Sequence, residues 1–286
     1  MWEPLSCRGF YVILISVAFC QFLALAIRKE NVFMLQYLIV CPLVFLAGFV
    51  DSIAGGGGLI SLPAYIIAGV PAHFAIGTNK LSSTLGTSIS TWRYLKQGYL
   101  KGKQLILPVV CACFTALAGS YLGSSFSMMV SDTVLKHMMM VVLPIVAFYV
   151  LRNKNMGAET EQQALPVRAM LCISMAVAFV IGMYDGFYGP GTGTFYLLIL
   201  TGIAHLNVHQ ASAMTKILNL TSNLVALINF LLNGTAYYGL GMAAAVFCIA
   251  GNYIGSGLVV SNGQKIVRPL ILIVLVILFV KIVTGI

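Results

Sequence analysis

The chain has 286 residues, 60% of them hydrophobic and 8% charged, with a net charge of +9. A soluble domain carries about 25% charged residues, so these long apolar runs indicate an all-α polytopic membrane protein, and their lack of alternation argues against a β-barrel. Most Lys and Arg fall between the apolar runs, where they set membrane orientation, so the basic balance is not taken as a nucleic-acid surface.

The first apolar run, Phe10 to Ile27, follows Arg8 and is near spanning length. It ends in Ala24-Leu25-Ala26, which resembles a signal-peptidase site. A first transmembrane helix within 1–32 is expected because many more spans follow, with a cleaved leader as the alternative.

Two copies of one pattern come next. The first runs Gly48-Phe49-Val50-Asp51, Gly55-Gly56-Gly57-Gly58, an apolar stretch, and Gly77-Thr78-Asn79-Lys80. The second runs Gly182-Met183-Tyr184-Asp185, Gly189-Pro190-Gly191-Thr192-Gly193, an apolar stretch, and Ala213-Met214-Thr215-Lys216. Later, Ala118-Gly119-Ser120-Tyr121-Leu122-Gly123-Ser124 is matched by Ala250-Gly251-Asn252-Tyr253-Ile254-Gly255-Ser256. The expected organisation is a first membrane repeat at 33–151, a cytoplasmic linker at 152–166 and a second repeat at 167–286.

Each copy reads as an apolar arm (about 33–50; about 167–184), a glycine-rich break and a short arm (59–69; 194–203). Three longer helices follow (75–96, 104–124, 134–151; 210–232, 237–258, 266–284). The short arms cannot cross a core of about 30 Å at about 1.5 Å per residue, so each arm–break–arm unit is expected to be a re-entrant hairpin turning near mid-membrane. Non-helical backbone at that depth persists only where protein buries it or where it lines a watery cavity.

The basic residues give the orientation. Arg93, Lys96, Lys101, Lys103, Arg152, Lys154, Arg168, Lys265 and Arg268 collect on one side, taken as cytoplasmic; Arg28, Lys29, Lys136 and, less firmly, Lys281 take the other. The N-terminus then falls inside and the C-terminus outside. A hairpin adds an even number of crossings, so each copy crosses an odd number of times and the two are inverted, as in secondary transporters.

A charge in hydrocarbon costs about 3 kcal/mol or more, so Asp51, Lys80, Asp185 and Lys216 mark a candidate site. Gly55, Gly56, Gly57, Gly58, Gly189, Gly191 and Gly193, with Thr192, let a ligand approach the backbone, and the helix after each break turns its free N–H groups toward that ligand. Two such termini with Lys80 and Lys216 would hold a small anion. The two acids admit three roles: neutralising the lysines in the empty site, carrying a coupling proton, or capping the breaks. Asn79, Ser83 and Thr87 step by four, as do Thr215, Asn219 and Asn223, so each set shares a helix face that lines the path or glues helices together. His73 and His209 occupy matching positions and read first as interfacial residues. The Gly-x-x-x-Gly spacings read first as close-packing motifs. The seven cysteines lack metal or disulfide spacing.

Together the Asp51/four-glycine segment, Gly77-Thr78-Asn79-Lys80, the Asp185/Gly-Pro-Gly-Thr-Gly segment and Thr215-Lys216 resemble the TauE/SafE family of sulfite exporters, also called the TSUP transporters. The resemblance covers essentially 33–284. It implies a multi-pass carrier of a prokaryotic cytoplasmic membrane that moves small, often sulfur-containing anions such as sulfite, thiosulfate or organosulfonates. The reading is a secondary carrier without cofactor or metal, with a small anion as substrate, H⁺ or Na⁺ as coupling candidates and the lipid bilayer as its surroundings. One repeat rocking against the other would give alternating access. An anion channel or a membrane-embedded sensor is the rival; no catalytic constellation points to an enzyme. A homo-oligomer is compatible with the sequence.

Overall fold

A computed structural model of the protein describes residues 31–100, 103–135, 137, 138, 141 and 165–262. The expected helix within 1–32, nearly all of the 134–151 and 266–284 helices and most of the linker lie outside the described residues. Every described regular element is a helix.

The first long arm is α1, Asn31–Ala54. It ends at Gly55, whose left-handed backbone (φ 74°) a side chain would strain; its N–H still reaches the Asp51 carbonyl at 2.8 Å. The short α2, Gly58–Ile67, follows after only three residues. Helix α3, Ala72–Gln97, starts behind Pro71 and stops at the left-handed Gly98. Helix α4 spans Lys103–Met129. The second set repeats the order: α5 (Val167–Phe187), the short α6 (Thr192–Gly202), α7 (Val208–Leu232) and α8 (Tyr238–Asn262). Asn207 caps α7, accepting the Gln210 N–H at 2.9 Å.

Both arm–break–arm units are therefore present, with longer first arms than their apolar runs suggested. Helices α1, α4, α5, α7 and α8 are long and apolar enough to cross a membrane. Helix α3 is long enough but too polar to join them, although it was expected to be a span like the others. Its Thr78, Asn79, Lys80, Ser82, Thr84, Thr87, Ser90 and Thr91 are all buried. They survive there because they bond inward, Thr91 to the Lys216 carbonyl at 3.1 Å and Ser82 with Tyr65 at 2.9 Å. Large apolar side chains such as Leu38, Ile106, Phe114 and Val180 point outward, as lipid-facing residues should.

Helices in hydrocarbon gain little from apolar burial against each other, so close backbone contact decides which pair. Glycine pairs do this twice. Gly119 and Gly123 of α4 lie against the carbonyls of Phe179 and Met183 of α5, and Gly251 and Gly255 of α8 against those of Phe45 and Phe49 of α1, with no room for a Cβ. The close-packing reading of these spacings is what the geometry shows. As a result α4 pairs with α5 and α8 with α1, so each half of the sequence lends a helix to the other's hairpin. One apolar core gathers Val44, Leu62, Tyr65 and Ile76 with Leu240 of α8; the other gathers Val109 and Ala112 of α4 with Ala178, Tyr196 and Leu218. Helices α3 and α7 touch each other between them.

Candidate functional site

The two glycine-rich breaks meet. A Cβ on Gly55 would run into Gly193, and one on Gly58 would lie 3.0 Å from the Cα of Pro190. No side chain caps α2 or α6; their first turns bond back to the glycines of the breaks, the Leu59 N–H to the Gly56 carbonyl at 3.1 Å and the Thr192 N–H to the Gly189 carbonyl at 3.2 Å. Beside this crossing is a small recess. Its wall holds Asp51, Gly55, Gly57 and Gly58 from the first break, Gly189, Thr192 and Gly193 from the second, and Asn79, Lys80, Asp185 and Asn219. Helix-spaced Ser83, Thr87 and Asn223 also line it.

Four of the expected site residues stand elsewhere. Gly56, Gly191, Thr215 and Lys216 do not line the recess. The Thr215 hydroxyl is buried without a hydrogen-bond partner. Lys216 lies behind Asp51, because its side chain ends on that residue.

The charges pair across the two sequence copies. Lys80 Nζ donates to Asp185 Oδ1 at 2.8 Å and to Asn223 Oδ1 at 2.7 Å. Lys216 Nζ donates to Asp51 Oδ2 at 3.0 Å and to the Asp51 main-chain carbonyl. Of the three roles the sequence left open for the acids, this geometry realises neutralisation of the lysines. Capping of a break is replaced by a side-chain contact: the hydroxyl of Thr192, the first residue of α6, is shared between the Gly189 carbonyl at 2.6 Å and Asp185 Oδ1 at 3.0 Å.

The surroundings of the two acids differ. Asp185 also receives the Ser222 hydroxyl on Oδ2 at 2.5 Å, and its side chain is 3% exposed. Asp51 is 13% exposed, and Lys216 alone among the described side chains is seen donating to its carboxylate. The sequence explains why. Thr192 opens α6 where Gly58 opens α2. Ser222 stands six residues beyond Lys216, and Gly86 six beyond Lys80. Both hydroxyl donors of the second copy are thus glycines in the first.

The space left by Gly86 is filled from α8. A Cβ there would strike Cys248 Sγ and come within 2.7 Å of Asn252 Nδ2. Both residues line the recess, and the sequence reading assigned neither to the site. Asn252 donates to the Cys248 carbonyl at 3.0 Å, while its Oδ1 is buried with no partner. One signal for Asn252 existed: it replaces Ser120 within the repeated Ala-Gly-x-Tyr motif. The two histidines do not behave alike. His73 pairs with Asp132, which also accepts its main-chain N–H at 3.1 Å, whereas His209 stacks on Tyr99 at 4.9 Å.

The chain resembles known membrane proteins over most of its length. The family model described as "Sulfite exporter TauE/SafE" matches residues 40–282. The "Probable membrane transporter protein ORF9" of Sinorhizobium sp. is 35% identical over 87% of this chain and 92% of its own length. The "Probable membrane transporter protein YfcA" of Escherichia coli K12 is 32% identical over 88% of this chain and 92% of its own, and a "Probable membrane transporter protein" of Haemophilus influenzae is 31% identical over 80% and 87%. No solved structure matches. A helical membrane chain with charged residues gathered around two broken hairpins, matched across 40–282, belongs to the sulfite exporter TauE/SafE family of membrane transporters.

Proposed function

We propose that the chain is a secondary carrier for a small, sulfur-containing anion (sulfite, thiosulfate or an organosulfonate) bound in the recess where the two breaks meet. The observation that carries this reading is Lys80. Its ammonium lines the recess, and two of its three N–H bonds are committed, to Asp185 and Asn223. The third is left for a ligand beside the first-turn backbone of α2 and α6, a favourable setting for negative charge. The recess is small and walled largely by glycines and polar groups, which suits a small ion. Alternating access would occur between two packed bodies. Because glycine contacts tie α4 to α5 and α8 to α1, those pairs would travel together.

The test is thermal-shift binding on purified protein against sulfite, thiosulfate, sulfate, sulfoacetate, taurine and small carboxylates. A stabilising anion whose effect is lost in Lys80→Ala and weakened in Lys216→Ala supports the site. Equal stabilisation in wild type and both variants would remove it. Counterflow in liposomes distinguishes a carrier from a channel, which would show conductance without exchange.

A further inference from the structure

We infer that each anion bound in the recess is accompanied by one proton, and that the proton sits on Asp51 and not on Asp185. This rests on the small-anion reading above and adds the coupling ion and the residue that holds it.

The charges of Lys80, Asp185, Lys216 and Asp51 sum to zero, and three of the four residues share one small wall. An entering anion adds a negative charge within the same walls as two carboxylates, in surroundings that screen poorly. Neutralising one carboxylate offsets one unit of that charge. The two candidates differ in what protonation would break. Asp185 accepts from the Lys80 ammonium and the Ser222 hydroxyl and shares the Thr192 hydroxyl with the Gly189 carbonyl, so a proton there would disturb these donors in a sealed position. Hydrogen bonds made to the charged form of a carboxylate favour that form. Asp51 accepts from Lys216 and is the more water-exposed of the two.

The groups facing Asp51 are few. From α7 comes Lys216; from α8, the Cys248 thiol; from α3, the Tyr94 hydroxyl, which donates to the Ser52 carbonyl at 3.1 Å. Lys80 and Asp185 share the recess wall with it. Lys216 already occupies both an Asp51 carboxylate oxygen and the Asp51 carbonyl, so a sodium ion at those oxygens would meet an ammonium. A proton meets no such conflict. A protonated Asp51 also gains a hydrogen to donate, and the same wall holds a buried acceptor without a donor, Asn252 Oδ1. The step balances: a proton taken up from the surrounding medium bonds to Asp51 Oδ2, the Nζ–Oδ2 ion pair opens, and the freed Lys216 charge offsets one negative charge of the anion. Lys216, which Asp51 separates from the recess, thereby takes part in binding.

The experiment is calorimetric binding of thiosulfate, an anion that stays ionised near neutral pH, to the purified full chain in two buffers of different ionisation enthalpy. Wild type is expected to take up about one proton per anion, and its affinity to fall up to about tenfold per pH unit where Asp51 is ionised. Uptake should vanish in Asp51→Asn and persist in Asp51→Glu and in Asp185→Asn. Binding without proton uptake or pH dependence in wild type overturns the inference, with no variant needed. So does uptake that survives in a folded Asp51→Asn and is lost in Asp185→Asn. Failure of wild type to bind any member of the anion panel is a different result, and removes the small-anion reading itself.

Discussion

The two ion pairs descend from the same short sequence pattern, yet they sit in different physical states. Lys80–Asp185 is sealed and densely bonded: a lysine, an asparagine and two hydroxyls form a network with both side chains no more than 3% exposed. Lys216–Asp51 is a sparser pair at the edge of the recess, where glycines stand in place of the hydroxyls and a thiol and an amide from α8 occupy the space. A buried pair whose carboxylate accepts several donors resists change, because protonating or removing any member leaves the others unpaired in low dielectric. A pair with spare contacts can be opened. The repeated pattern thus supplies one fixed point and one adjustable point within the same cavity.

The comparison breaks most visibly at the acids. Removing one partner of a buried pair costs about 3 kcal/mol or more, and less where water reaches the site. Asp185→Asn should therefore lower the unfolding temperature in detergent far more than Asp51→Asn, by about 3 kcal/mol against about 1. Equal losses would show that the two pairs are equivalent and that the hydroxyl network adds nothing.

The second effect tests the network itself. Thr192→Val and Ser222→Ala each remove a hydrogen bond to a charged acceptor, a loss of about 1.5 kcal/mol apiece. Together they give Asp185 the surroundings that Asp51 has naturally. In the double variant, thiosulfate binding should acquire a second proton-linked group, seen as residual uptake when Asp51→Asn is added. If uptake in that triple variant stays at zero, the hydroxyls do not decide which acid titrates.

The chemistry of the site was legible because charge is conspicuous in an apolar sequence. Asp51, Lys80, Asp185 and Lys216 stand out without any structure, and the glycine runs beside them imply broken helices. The partners were not legible. Lys80 bonds an acid 105 residues away and Lys216 one 165 away, and nothing local prefers that exchange over pairing within each copy. It follows from helix packing, which glycine stripes on α4 and α8 set only once the facing carbonyls are known. Cys248 and Asn252 escaped for a related reason. Their role comes from the missing side chain at Gly86, and an absent atom on one helix does not say which other helix fills the gap. The polar α3 was read as one more span because its length fits; its hydroxyls and amides are tolerable only because other helices surround it.

The smallest effect concerns two glycines that the sequence treats alike. Gly189 has a left-handed backbone at φ 97°, and a Cβ on it would lie 3.0 Å from Asp185 Oδ1 and 3.1 Å from Lys80 Nζ. Gly56 has no such backbone, and its Cβ would meet its nearest neighbours at 3.7 Å, an ordinary contact. Backbone strain of this kind is worth about 1 kcal/mol, whereas an alanine that fits can even stabilise slightly by restricting the unfolded chain. Gly189→Ala should lower thermal stability by about 1 kcal/mol or somewhat more and weaken anion binding through Lys80, while Gly56→Ala should stay within about 0.5 kcal/mol of wild type and bind normally. Scanning-temperature unfolding with and without thiosulfate reads both quantities at once. Should Gly56→Ala prove as damaging as Gly189→Ala, the room for a Cβ at Gly56 would not exist and the contrast between these two glycines would fall.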